Sequence, residues 1–152
     1  MRILFLASWA ILLVVSAGIA LFSVQSVFVA YGKSDESLTP EYSAAQIKAQ
    51  GGEEAFKAFK GRRLTAATWA LGYALLAIAV TLVPYRRGEQ WAWWALLVAM
   101  GLSQILSIAR AVTIPTTSGA GTSGVLLAFT LLGLMAGAPR MFGNQKATPQ
   151  AE

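Results

Sequence analysis

The sequence predicts an all-α fold: a four-transmembrane-helix bundle with a short helical extramembrane segment between helices 1 and 2. Three observations predict it. The 152 residues are 56% hydrophobic and only 12% charged, with a mean hydropathy of +0.57, whereas about a quarter of an ordinary soluble domain is charged. The charges are also unevenly spaced, with 30 uncharged residues between Arg2 and Lys33, 22 between Arg63 and Arg86, 20 between Glu89 and Arg110, and 29 between Arg110 and Arg140. Each gap can supply the roughly 20 apolar residues that cross a hydrocarbon core. Finally, cations stand at the gap ends, as in Arg62-Arg63, Arg86-Arg87 and Arg140, where head groups and topology favour them. The expected layout is one membrane domain, residues 1–142, with spans at about 3–31, 63–83, 90–114 and 122–141, an extramembrane helical loop at 32–62, and a polar tail at 143–152.

The first span, Ile3 to Tyr31, is about twice the roughly 7–15 apolar residues of a secretory signal and reads as an uncleaved anchor. Being longer than the hydrocarbon core, it should tilt or protrude. Ser23, Gln25 and Ser26 mark the end that rises out of the lipid.

Lys33 to Arg63 holds 11 charges in 31 residues. Thr39-Pro40-Glu41 supplies an N-cap, a proline at the first helical position and an acid in the first turn. The helix that follows should stop at Gly51-Gly52, because glycine takes left-handed backbone freely. Glu53-Glu54 then opens a second helix with acids at its positive end, and Glu53 stands four residues before Lys57, the favourable order for an ion pair. Phe56 and Phe59 share one face of that helix. They form either an interfacial lid or docking face, or simply the side on which the helix rests against the bilayer or bundle.

The second span should stop at the surface turn Pro84-Tyr85-Arg86-Arg87-Gly88, and Trp91, Trp93 and Trp94 open the third as an aromatic belt. The third span should end before Pro115. Residues 116–123 are small and uncharged and read as a loop, since neither the lysine nor the strand of a phosphate loop is there. Four spans place both termini on one side. The short, basic second loop favours a cytoplasmic location for that side.

Helices in lipid associate through small residues and buried hydrogen bonds. Candidate stripes are Ser16, Ala20 and Ser23 in the first span, Thr68, Gly72 and Ala79 in the second, and Thr130, Gly133 and Gly137 in the fourth. Gly133 and Gly137 form a GxxxG, serving either packing inside the bundle or a dimer face. In the third span Ser103, Ser107 and Arg110 fall on one face with Gln104 at its edge. Intramembrane polar residues face a cavity or bundle interior by default, so this face is a candidate ligand-binding pocket with Arg110 as the anion contact, roofed by Phe56 and Phe59. The competing reading is that Arg110 snorkels to the nearby helix end and favours its dipole.

The layout of four spans, a partly helical first loop, and Ala109-Arg110 late in the third span resembles the DoxX-like group of small bacterial inner-membrane proteins. That group often carries Gly-Arg there, together with acids in the following loop and the fourth span that this sequence lacks. The resemblance implies a membrane-embedded accessory protein and no catalytic residue.

Chemistry is bounded by what the residues can do. The sequence has no histidine or cysteine, which excludes thiol catalysis, disulfides, histidine triads and thiolate metal sites. None of the seven acids lies within a charge-free gap, and proton-coupled transport normally rests on such a group. No catalytic residue, metal site or cofactor is expected, and the +5 charge belongs to the membrane surface rather than to nucleic acid. The leading expectation is a non-catalytic integral protein of a cell membrane, of bacterial inner-membrane type, serving as an accessory or structural subunit of a larger complex or homo-oligomer. Its partners would be membrane lipids and other integral membrane proteins or itself. The alternative is a binder of a lipid or hydrophobic small molecule near Arg110, and the third choice an oligomeric channel or carrier.

Overall fold

A computed structural model describes residues 2–32, 44–113 and 119–143, and among these the chain is helical, with no strand. The elements are α1 (Arg2–Tyr31), α2 (Ala44–Val80) followed by a π-helical turn (Thr81–Tyr85), α3 (Gln90–Leu96), a second π turn (Leu97–Gly101), α4 (Leu102–Thr113) and α5 (Ala120–Phe142). Four stretches are long and apolar enough to cross a membrane: Arg2–Tyr31, Ala45–Tyr85, Gln90–Arg110 and Ala120–Phe142. The third of these is built from α3, the π turn and the start of α4. The N-cap at Thr39 and the polar tail lie outside the described residues.

The break expected after Gln50 is at Gly52, whose φ of 74° and ψ of −178° are accessible to glycine alone. From Glu53 the helix then runs without interruption to Val80, about 42 Å at 1.5 Å per residue. The charged stretch to Arg63 is thus a continuous extension of the second span rather than a separate element. Glu53 pairs across the break with Lys48 at 3.1 Å.

Two boundaries and one internal turn differ from expectation, each for a local reason. The second span does not stop at Pro84. The π turn absorbs that proline, since a widened turn tolerates a missing N–H, and helical backbone continues to Arg87 before Gly88 turns with a φ of 84°. The π turn at Leu97–Gly101, closed by a glycine, carries no periodicity signal. The last helix begins at Ala120, two residues before the expected start. Gly119 supplies its N-cap with a φ of 83°, so Ser123 belongs to the helix instead of the loop.

The chain forms two compact units, one of residues 17–76 and one of residues 1–16 with 77–152. In the first, Phe56 is buried against Val29, Ile47 and Phe59, with the ammonium groups of Lys48 and Lys60 at 4.6 Å and 5.5 Å from its ring. Lys60 also donates to the carbonyl of Gly32 at 2.8 Å. A cation at a helix C-terminus satisfies an orphan carbonyl and opposes the dipole. In the second unit, the beginning of α1 packs with the end of the second span, α3, α4 and α5 around Phe5, Leu12, Tyr85, Leu96, Met100 and Leu134, each at most 2% exposed.

Candidate functional site

Among the described residues, a buried polar hub joins three helices, and spacing alone did not reveal it. Ser8 on α1 donates to the carbonyl of Gly133 on α5 at 2.6 Å. A hydroxyl has one proton, so the second contact, 2.5 Å between Ser8 Oγ and Tyr85 Oη, is a donation from the tyrosine. Tyr85 and Ser8 are fully buried, and Phe5 stacks on the Tyr85 ring with centroids 5.6 Å apart. Tyr85 reaches this position because the π turn carries the helix past Pro84. Gly137 makes the room: a Cβ there would collide with Tyr85 Oη and lie 2.6 Å from Ser8 Oγ. A Cβ at Gly133 would meet Leu12 Cγ at 3.0 Å. Both glycines of the GxxxG are therefore occupied inside the chain.

At the same end two arginines lie against aromatic rings. Arg140 Cζ is 3.9 Å from the Phe5 centroid and Arg86 Cζ 5.7 Å from that of Trp9, within reach of a cation–π attraction. Trp93 donates to the Leu134 carbonyl at 2.8 Å, and Gln90 donates to that of Met141 at 2.9 Å. Trp91 and Trp94 stay more than half exposed. Two of the three tryptophans thus face outward as a belt would, and the third ties α3 to α5.

The residues proposed around Arg110 have differing surroundings. Gln104 is buried, but Ser103 is exposed and its hydroxyl bonds back to Met100 at 3.0 Å. Ser107 accepts from Ser123 at 2.8 Å, joining α4 to α5. Arg110 is exposed, and its Nη2 lies 4.0 Å from a Cβ built on Gly119, at the start of α5. Phe56 and Phe59 belong to the other unit and to the packing described above.

Described residues within 17–76 line a groove and a cavity. A shallow groove is lined by Ile47, Gln50, Gly51, Ala55 and Phe59. A smaller cavity of about 230 Å³ is bounded by Phe22, Ser23 and Ser26 of α1 and by Arg63, Ala66, Ala67 and Ala70 of α2. Ser23 donates to Ile19 at 2.7 Å. Spacing missed this cavity because Arg63 reads as an ordinary span-end cation. The available signal was the run of alanines one turn after it, opposite two serines.

The last element is an outward face of α2. Ala67, Ala74 and Ala77 are buried, while Thr65, Thr68, Gly72 and Ala79 are exposed. At about 100° per residue these sets lie on opposite sides of the helix. A Cβ on Gly72 meets nothing within 4 Å, so the small stripe expected to pack against a neighbouring span is exposed instead. Among the described residues no group of three or more potential metal-ligating side chains is found. No family model, no curated protein and no solved structure matches the chain.

Proposed function

We propose that the chain is a non-catalytic multi-pass membrane protein that serves as an accessory or structural subunit of a larger membrane assembly or homo-oligomer. The observation that carries this reading is the uncovered small face of α2. Lipid offers no hydrophobic drive for helix association, so close approach between small residues and van der Waals contact supply it. Both threonine hydroxyls on the face are turned back to their own helix, Thr65 to Gly61 at 3.0 Å and Thr68 to Leu64 at 2.9 Å. What remains is a shallow track beside Trp69, which is 77% exposed, fitted to the ridge of another helix. The resemblance to DoxX-like proteins implies the same class of role.

The termini are assigned to the cytoplasmic side of a bacterial-type inner membrane. Arg86 and Arg87 immediately precede the tight Gly88 turn, and short basic loops weigh most in orientation. A lipid-binding pocket at Arg110 draws less support, because Ser107 is engaged by Ser123 and Ser103 is exposed. Purification in mild detergent followed by native mass measurement tests the assembly. The expected species is a defined multiple of 16.1 kDa or a stoichiometric complex with another membrane protein. A lone monomer at all detergent concentrations would overturn the proposal.

A further inference from the structure

The cavity beside Arg63 carries an inference independent of the helix-association reading. Arg62 and Arg63 are neighbours in sequence with different surroundings. Arg62 is exposed, whereas Arg63 is half-buried and its Nη1 is buried with no hydrogen-bond acceptor among the described residues. A guanidinium does not give up its proton, so a buried N–H of this kind calls for an acceptor. It borders the cavity walled by Ala66, Ala67 and Ala70 on one side and by Phe22, Ser23 and Ser26 on the other.

The wall chemistry says what the acceptor is attached to. Ser23 has committed its proton to Ile19, which leaves oxygen lone pairs and no donor. The alanines are apolar, and Phe22 is 67% exposed at the margin. The recess is thus cationic at Arg63, hydroxyl-bearing at Ser23 and Ser26, and apolar along the three alanines and Phe22. Its volume of about 230 Å³ falls below the roughly 300–1,000 Å³ of pockets that enclose a whole drug-sized ligand. It therefore suits a head group and the first carbons of a chain, with the remainder lying outside along Phe22. Arg63 also closes the charged stretch of α2 and precedes the 22-residue uncharged gap, and a cation at the end of such a gap suits the head-group level of a bilayer.

We propose that this cavity binds the phosphate of an amphiphile, with Nη1 of Arg63 donating to a phosphate oxygen and the alanine–Phe22 wall holding the adjoining apolar chain. Inorganic phosphate shares the oxyanion chemistry but has nothing to offer that wall. The test is native mass spectrometry of the purified full chain with dioleoyl phosphatidic acid, with dioleoylglycerol as the phosphate-free analogue and with inorganic phosphate as competitor. The phosphatidic acid adduct should fall at least ten-fold in Arg63→Gln and in Ala70→Leu, which fills the recess. It should persist in Arg62→Gln and exceed the dioleoylglycerol adduct at least ten-fold. Failure of millimolar phosphate to displace it identifies the lipid as the ligand, and displacement assigns the same Arg63 site to free phosphate. Undiminished adduct in Arg63→Gln would overturn the proposal. If that variant does not fold, undiminished adduct in Ala70→Leu would do so, as would equal retention of dioleoylglycerol.

Discussion

Tyr85, Ser8 and Gly137 form a buried polar junction within an otherwise largely apolar core. Tyr85→Phe removes the donor to Ser8 and leaves the serine's bond to Gly133 in place, so a net loss of about 1 kcal/mol is expected. Gly137→Ala is the harsher change. Its methyl would meet both hydroxyls, and overpacking of this kind costs about 1–3 kcal/mol. Gly72→Ala adds the same methyl into open space and should lie within about 0.5 kcal/mol of the parent. Unfolding of the three variants in mixed micelles checks the order. Equal loss at Gly72 and Gly137 would refute the hub. The hub was hidden in the sequence for a definable reason. Ser8 is one small residue in a span rich in them, and a tyrosine following Pro84 reads as surface until the π turn is seen to carry the helix through.

At the scale of elements, glycine decides where α2 bends and alanine hides which way it faces. The Gly51-Gly52 break was legible because a residue with φ of 74° and ψ of −178° has to be glycine. Gly52→Ala should destabilise the junction by about 1–3 kcal/mol and loosen Ile47 from Phe56. Amide hydrogen exchange should then rise across residues 44–51 and stay unchanged in α5, and unaltered protection of 44–51 would contradict the assigned break. The facing of α2 was not legible. Thr68, Gly72 and Ala79 make a small-residue stripe, but Ala67, Ala74 and Ala77 make an equivalent one on the opposite side, and spacing cannot choose between them. In α5 the choice was easier: Thr130, Gly133 and Gly137 stand among larger residues such as Leu131, Leu132 and Met135, so the inward face is distinct. The Arg110 face illustrates a related limit. Helical spacing put Ser103, Ser107 and Arg110 on one stripe, yet along the edge of a helix–helix contact their burial differs: Ser107 is half-buried and bonded to Ser123, while Ser103 and Arg110 are exposed.

For the whole molecule, charge spacing was sufficient to locate four membrane-length helices, because crossing a hydrocarbon core constrains length and charge more strongly than any other property of the chain. The same constraint says nothing about what the outer surface meets, and the proposed function depends on that surface. Large apolar side chains such as Val14, Leu21 and Met135 are exposed in a manner suited to lipid. The stripe at Thr65, Thr68, Gly72 and Ala79 is suited instead to another helix. Since the chain has no cysteine, a single introduced thiol reports its surroundings without background. The most direct measurement is thiol cross-linking in native membranes with Gly72→Cys compared against Val14→Cys. An accessory or structural subunit predicts a discrete higher-mass product from position 72, containing a second copy or another membrane protein, and little from position 14. Equal, low cross-linking from both positions would contradict it.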